Sequence, residues 1–481
     1  MKMIRTLLSL ALLALIIVPH IAAQPRSLDG QWEFTTDPAG RMTVETLGEV
    51  STWRTIRVPY SWNAQFADLR EYRGIAWYRR SVNLPAPGAQ QTILLNFGAV
   101  DYAAAVYVNG QLAGENEGGY LPFQIDIGRQ VRPGRNEIVV RVIDPDEDRQ
   151  RWQEMNSRLI PQGRQSWYAQ MGGIWQSVSW EVRPLSYLVA ARVTASINGE
   201  VEVGIERRQS SRAGQGGSLS SAPVEVTIID PQGRVAGRTT ARLVAGGPGD
   251  LTARLKVSAP RLWSPETPAL YRVEVRYGND RLTDRFGFRR FEAREGMLYL
   301  NGEPVYLFGA VDRDFYPEGI HTPPSREYLV EQMKRVKQLG TNLLRVNVKV
   351  PTPDYLYAAD EVGLLVWSEL PSWDRFEWSP AAGRRAEATF LGQLNRDWNH
   401  PSMVIQSIVN EGWGLFNSVP PEPRLWLKSA YDRLAPVAAR AGRLTIDNSP
   451  CCESYHLKTD IADFHEYQSI PDHRRLWDFW V

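Results

Sequence analysis

The chain has 481 residues, 43% hydrophobic and 23% charged, a make-up that fits a soluble globular protein of about three domains. Lys and Arg number 55 against 54 Asp and Glu, so the net charge is +1. That balance removes any electrostatic case for nucleic acid or an anionic membrane as partner. Seventeen Trp is a high count. Indole stacks on the apolar C–H faces of sugar rings, and large β-sandwich cores use it as well.

Lys2 and Arg5, the apolar-to-small run Leu7 to Val18 and a cleavage site at Ile21-Ala22-Ala23 read as a signal peptide, which makes Gln24 the mature N-terminus and the protein secreted or periplasmic. The run is shorter than the roughly 20 residues a bilayer span requires, so no stable membrane insertion is expected after cleavage; the alternative is a segment retained as an uncleaved anchor. Residues 24–184 carry short strand-like stretches between Gly, Pro and Asn: Thr92–Phe97, Ala104–Val108 before the turn Asn109-Gly110, and Glu137–Val142. Their spacing predicts an antiparallel β-sandwich. Residues 185–290 alternate similarly at Val224–Ile229 and Tyr271–Tyr277, around a Ser/Gly-rich loop at Gln209–Ser221. That length and pattern predict an immunoglobulin-like sandwich.

From Phe291 to Val481 strand-like and helical runs alternate, which predicts βα units and a parallel sheet. The expected strands are Val305–Ala310, Asn342–Val348, Leu364–Leu370, Met403–Asn410, Leu444–Asp447 and Ala462–Tyr467. The expected helices are Ser325–Leu339, Pro353–Val362, Ala382–Trp398 and Arg424–Ala441. Ser325 is placed to cap the first of them, whose apolar stripe is Leu329, Met333, Val336 and Leu339. Six strands amount to an incomplete TIM barrel, which needs eight.

Cys451 and Cys452 are adjacent and the chain has no other Cys, which excludes a disulfide-stapled scaffold and a Cys zinc site. A strained vicinal disulfide and a pair of thiols both stay open. The six His form no i, i+4 pair, so no metal site is expected. No Gly-rich stretch follows a strand into a helix, so no nucleotide cofactor is expected either.

Several short motifs lie in order along the chain. They are Leu28-Asp29-Gly30-Gln31-Trp32, Val58-Pro59-Tyr60-Ser61-Trp62, Gly74-Ile75-Ala76-Trp77-Tyr78, Val106-Tyr107-Val108-Asn109-Gly110 and Gly172-Gly173-Ile174-Trp175. Leu262-Trp263-Ser264-Pro265-Glu266, Phe286-Gly287-Phe288-Arg289 and Leu300-Asn301-Gly302-Glu303-Pro304 continue the series. The ordered set resembles glycoside hydrolase family 2, which includes β-galactosidases, β-glucuronidases and β-mannosidases. That resemblance implies a jelly-roll sugar-binding-like domain, an immunoglobulin-like domain and a catalytic TIM barrel. It also implies a carbohydrate substrate and retaining, exo-acting hydrolysis of terminal β-linked sugars.

The stretch Arg396-Asp397-Trp398-Asn399-His400-Pro401-Ser402 and then Ile408-Val409-Asn410-Glu411-Gly412-Trp413-Gly414 bears the chemistry. An apolar run ending in Asn-Glu reads as a buried strand that delivers a carboxylate at its tip, where barrel chemistry is assembled. Glycosidic cleavage needs a proton on the departing oxygen. By resemblance Glu411 supplies it as general acid/base, and Asn410 bonds the hydroxyl beside the reacting carbon. Arg345 either orients a catalytic carboxylate or serves a structural ion pair. Asn347 departs from the family's His in Arg-x-His-x-Lys, and keeps hydrogen-bonding capacity without a titratable ring. Asp312 and Trp413 are sugar contacts or structural residues, and Glu369 either supports the site or touches the sugar. His465 and Tyr467, in Asp463-Phe464-His465-Glu466-Tyr467, could reach the sugar.

The family places its nucleophilic Glu on a seventh strand, and the six strands read here do not reach it. The expectation is therefore that this sequence alone lacks the nucleophile. The rival expectation is a carbohydrate-binding protein without turnover. Assembly into a homo-oligomer is left open.

Overall fold

The structure, a computed structural model, describes residues 25–163, 169–214, 221–243, 251–371, 377–412, 415–416, 421–451 and 454–465. The expected signal segment, residues 215–220 of the Gln209–Ser221 loop, Trp413, Cys452 and Tyr467 lie outside the described residues.

The first sandwich faces a six-stranded antiparallel sheet with a four-stranded one that ends in Val178–Pro184. Period-two alternation explains its two-sided packing. Along the Gly134–Asp144 strand, Ile138, Val140 and Val142 enter the sandwich core with Trp32, Phe34, Ile93 and Leu95. Val139 points the other way, into a second apolar cluster with Leu47 and Trp77. Asn109 and Gly110 have φ of 52° and 80° and join Ala103–Val108 to Gln111–Glu117. Both values are positive, as a tight two-residue hairpin requires.

The second sandwich pairs two four-stranded sheets between Ser186 and Phe286. Val226, Ile228, Val273 and Val275 fill its interior. A three-stranded antiparallel unit, Phe291–Arg294, Met297–Leu300 and Glu303–Pro304, leads into the last region.

There, five strands pair in parallel and in sequence order: β1 (Gly309–Asp312), β2 (Leu343–Val346), β3 (Leu365–Glu369), β4 (Met403–Asn410) and β5 (Leu444–Ser449). Between them run α1 (Arg326–Gln338), α2 (Pro353–Val362), α3 (Pro380–Arg396) and α4 (Glu422–Arg440). Each start and stop has a local cause. Ser325 Oγ accepts the Tyr328 amide at 3.2 Å to cap α1, and Ser379 Oγ does the same for α3 at 3.1 Å from the Ala382 amide. Pro353 opens α2, and Gly363 with φ 78° closes it. Leu329 and Met333 are the buried face of α1. Leu339 lies past the helix end and is 78% exposed, so the expected apolar stripe is one residue too long.

Two strand expectations need correction. Parallel pairing begins at Gly309 rather than Val305, because the Val305 amide still bonds Leu298 O in the preceding hairpin unit. An apolar run satisfies either pairing, and only the tertiary register chooses. Ala462–His465, expected as the start of a sixth strand, pairs with no sheet. His456 Nε2 instead lies 2.8 Å from the Asp463 carbonyl, and the His465 amide bonds Pro450 O at 2.8 Å. No described helix is long and apolar enough to cross a membrane.

Candidate active site

Parallel pairing puts the C-terminal ends of all five strands on one edge, and the expected site residues collect there. β4 is buried from end to end, so its last residues are held by the interior rather than by a loop. Glu411 follows with φ 55° and Gly412 with φ 63°, which ends the strand abruptly. A left-handed conformation costs a side-chain-bearing residue about 1–2 kcal/mol. The Glu411 amide bonds Ser449 O on β5 at 2.7 Å and helps to hold it. Val348 and Asp314, each with φ 49°, lie just past β2 and β1. Three strained non-glycine residues thus gather at one edge, as functional sites often show.

The side chains form a continuous network. Glu411 Oε1 stands 2.7 Å from His465 Nδ1. Asn410 Oδ1 accepts from Arg345 Nη2 at 2.9 Å, and the same nitrogen donates to Ser449 Oγ at 2.9 Å. Arg345 also pairs with Glu369 and lies 4.0 Å over the Trp367 ring. Glu369 is fully buried, and its Oε2 accepts from Asn347 Nδ2 at 2.7 Å and from the Val348 amide at 3.0 Å. Arg345 orients the buried Glu369 carboxylate through this ion pair.

Other expected residues turn inward. Asn347 is buried, donates to Glu369 and accepts from Arg313, so its described bonds run to protein where a sugar contact was expected. Asp312 accepts from the Tyr355 hydroxyl at 2.8 Å and from the Asp314 amide at 2.7 Å. His465 braces Glu411 on one side and reaches Ser449 Oγ with Nε2 at 2.9 Å on the other.

Sequence reasoning passed over Ser449 and Asp463. Ser449 Oγ bonds Asp463 Oδ2, and Asp463 lies 3.8 Å from Arg345. Burial raises the Asp463 carboxyl pKa, against the opposing pull of Ser449, Arg345, His456 and His465. Behind it, burial works to depress the His456 imidazole, but Asp447 at 2.9 Å and the Asp463 carbonyl hold its pKa above the ordinary value. The signal in the sequence was the polar ending Asp447-Asn448-Ser449 on a strand that starts apolar.

The motif Arg396 to Ser402 lies at the opposite end of β4 and builds the frame. His400 Nδ1 pairs with Asp360 Oδ2 at 2.6 Å, and the Ser402 amide donates to Asp360 Oδ1 at 3.0 Å. Arg396 pairs with Asp397 beside it. Among the described residues no group of three or more His, Cys, Asp or Glu is placed to hold a metal ion.

Residues 25–184 match the family model described as "Glycosyl hydrolases family 2, sugar binding domain", and residues 187–289 match "Glycosyl hydrolases family 2". The chain belongs to glycoside hydrolase family 2. Within that family, a Formosa agariphila protein provisionally assigned as a β-glucuronidase is 30% identical over 378 residues, 76% of this chain and 43% of the relative. A β-galactosidase of Thermoanaerobacter pseudethanolicus is 27% identical over 357 residues, 71% of this chain and 45% of its own. The chain thus spans about half the length of these relatives. Among solved structures, the Bifidobacterium dentium β-glucuronidase bound to coumarin-3-O-glucuronide superposes with a TM-score of 0.76 at 20% identity, covering 92% of this chain and 76% of that one. The Faecalibacterium prausnitzii β-glucuronidase gives 0.75 at 21%, covering 95% and 82%. These likenesses establish the shared fold.

Proposed function

We propose that this family 2 protein is a retaining exo-β-glycosidase of the β-glucuronidase or β-galactosidase type, with Glu411 as general acid/base. The observation that carries the reading is Glu411 itself. It is a carboxylate at the tip of a fully buried parallel strand, in a strained backbone, preceded by Asn410 and braced by His465. A carboxyl in such a setting can hold a proton for a departing oxygen and later take one from water. Asn410, anchored by Arg345, is placed to bond the hydroxyl beside the anomeric carbon. Asp312 and Trp413 are proposed to line the sugar site with Tyr467. The five-stranded parallel sheet belongs, in this reading, to a TIM barrel that follows two sandwiches at 24–184 and 185–290.

Double displacement needs a second carboxylate about 5–5.5 Å from the first. Glu369 suits a supporting role, because Arg345, Asn347 and the Val348 amide already engage both its oxygens. The nucleophile is assigned to no described residue. Export through the N-terminal segment is proposed as well, on its positively charged start and the apolar run that follows.

These 481 residues by themselves are expected to turn over no glycoside, so aryl β-glucuronides, β-galactosides and β-mannosides, assayed with the natural gene product and its Glu411→Ala variant, test the reading. Turnover that collapses in the variant supports it. Turnover indifferent to the variant, or saccharide binding with no hydrolysis, overturns it; the second result would indicate a carbohydrate-binding protein.

A further inference from the structure

The hydrogen-bond inventory around Ser449 constrains where protons sit beside Glu411. Ser449 Oγ has three described side-chain partners: Arg345 Nη2 at 2.9 Å, Asp463 Oδ2, and His465 Nε2 at 2.9 Å. A hydroxyl offers one proton and two lone pairs. Arg345 only donates, so it takes one lone pair. An ionised Asp463 only accepts, so it takes the hydroxyl proton. One lone pair remains, and His465 Nε2 must fill it as a donor.

The other face of the ring then follows. Nδ1 stands 2.7 Å from Glu411 Oε1. A bare ring nitrogen and a bare carboxylate oxygen repel at that distance, so one proton must lie between them. It is held either as carboxylic acid and neutral imidazole or as carboxylate and imidazolium, and in both forms the pair is neutral overall. Burial raises the Asp463 carboxyl pKa, and the neighbouring positive charges and the Ser449 hydroxyl pull it back towards the ionised form this arrangement uses. Arg345 lies 3.8 Å from Asp463 Oδ2, and His456 Nε2 lies 3.5 Å from Oδ1 with Asp447 behind it. Glu369 faces Arg345 from the opposite side and shares its charge.

We propose that Ser449 and Asp463 are positioning residues that fix the His465 tautomer, so that His465 and Glu411 hold one proton in common beside the reacting bond. Its catalytic meaning rests on the reading of Glu411 as general acid/base. In cleavage the shared proton goes to the glycosidic oxygen as the electrons of its bond to the anomeric carbon move onto that oxygen and the second carboxylate that double displacement requires forms its own bond to that carbon. The pair is left with one negative charge. It regains neutrality from the water that later attacks the glycosyl-enzyme and gives up a proton. Two groups sharing a proton release it at higher pH than one carboxyl alone.

Imidazole nitrogen NMR on the histidine-labelled full chain tests this without turnover, with the His465 signals assigned by their loss in His465→Gln. At pH 6 the His465 Nε2 is expected to carry a proton. The fraction of His465 carrying protons on both nitrogens should drop in Glu411→Gln, which removes the anionic partner, and the fraction protonated at Nε2 should drop in Ser449→Ala, which removes its acceptor. A bare Nε2 at pH 6, or proton positions unmoved in both variants, would overturn the proposal. Hydrolysis that survives Glu411→Ala while the spectra behave as expected would sink the assignment of Glu411 as acid and leave the proton sharing standing. The reverse combination would sink the sharing alone.

Discussion

Lys349 and Asp314 form an ion pair closed off from solvent beneath the strand tips, with Nζ 2.6 Å from Oδ2 and side chains 2% and 0% exposed. Lys349 completes its hydrogen bonds at the carbonyls of Asp314 and His321, at 2.8 and 2.9 Å. The Tyr316 hydroxyl donates to the other oxygen of Asp314 at 2.5 Å. The two loops that follow β1 and β2 are thereby locked to each other. Lys349→Met would strand a buried carboxylate, and the expected loss is about 3–5 kcal/mol. Lys349→Met with Asp314→Leu should lose clearly less, because no charge is left unpaired. Urea midpoints of the three proteins check this. A double variant as damaged as the single one would show that the lock is not electrostatic.

Stability in acid should depend on His321. Burial first, then the charge of Lys349, pushes its pKa down from 6.5 to about 3, despite an opposing bond to the Ala169 carbonyl. The folded state therefore binds fewer protons here than the unfolded state between those values. Stability from this residue is complete above pH 6.5 and is lost as the pH falls towards 3. Its slope reaches about 1.4 kcal/mol per pH unit. Denaturant midpoints at pH 7, 6, 5 and 4 should therefore fall less steeply in His321→Gln. Parallel slopes in the two proteins would count against the assignment.

Glu411→Ala should discriminate among leaving groups. Poor leaving groups need the proton and should lose about 10²–10⁴-fold in rate. Aryl glycosides activated by nitro groups leave without help and should lose far less. A uniform loss across the series would remove the acid role.

Asn399 joins the second sandwich to the parallel sheet. Its Nδ2 donates to Ala191 O at 2.7 Å and to Asp284 Oδ2 at 2.6 Å, and its Oδ1 accepts from the Val193 amide at 2.7 Å. Asn399→Ala leaves these buried groups unsatisfied, at a cost of about 1–3 kcal/mol. Calorimetry should show a lower first transition. A change within about 0.5 kcal/mol, the range of ordinary surface substitutions, would mean that the junction is held by packing alone.

The elements most legible in the sequence were those whose cause is local. α2 was readable from Pro353 to Val362 because a proline opens it and a left-handed glycine follows it. β4 was readable from Met403 to Asn410 because the apolar, mostly β-branched residues on both sides of Gln406-Ser407 form a segment short enough for a strand buried on both faces. The start of β1 was not readable. Val305 to Phe308 is apolar and would serve either a hairpin or a parallel sheet, and pairing with Leu343 four residues further on decided it.

The sequence by itself determined the succession of two sandwiches and a parallel sheet, and it placed Glu411 behind Asn410 at a strand end. Periodicity and turn chemistry act over a few residues, so they are written where they operate. Only the tertiary structure decided what surrounds that carboxylate. Arg345, Glu369, Ser449, Asp463 and His465 come from β2, β3, β5 and the segment beyond, up to 120 positions apart in the chain. Parallel pairing brings those strand ends to one edge. The same holds for the bond from Asn347 to Glu369, because direction and distance to a partner are properties of the fold and not of the residue type.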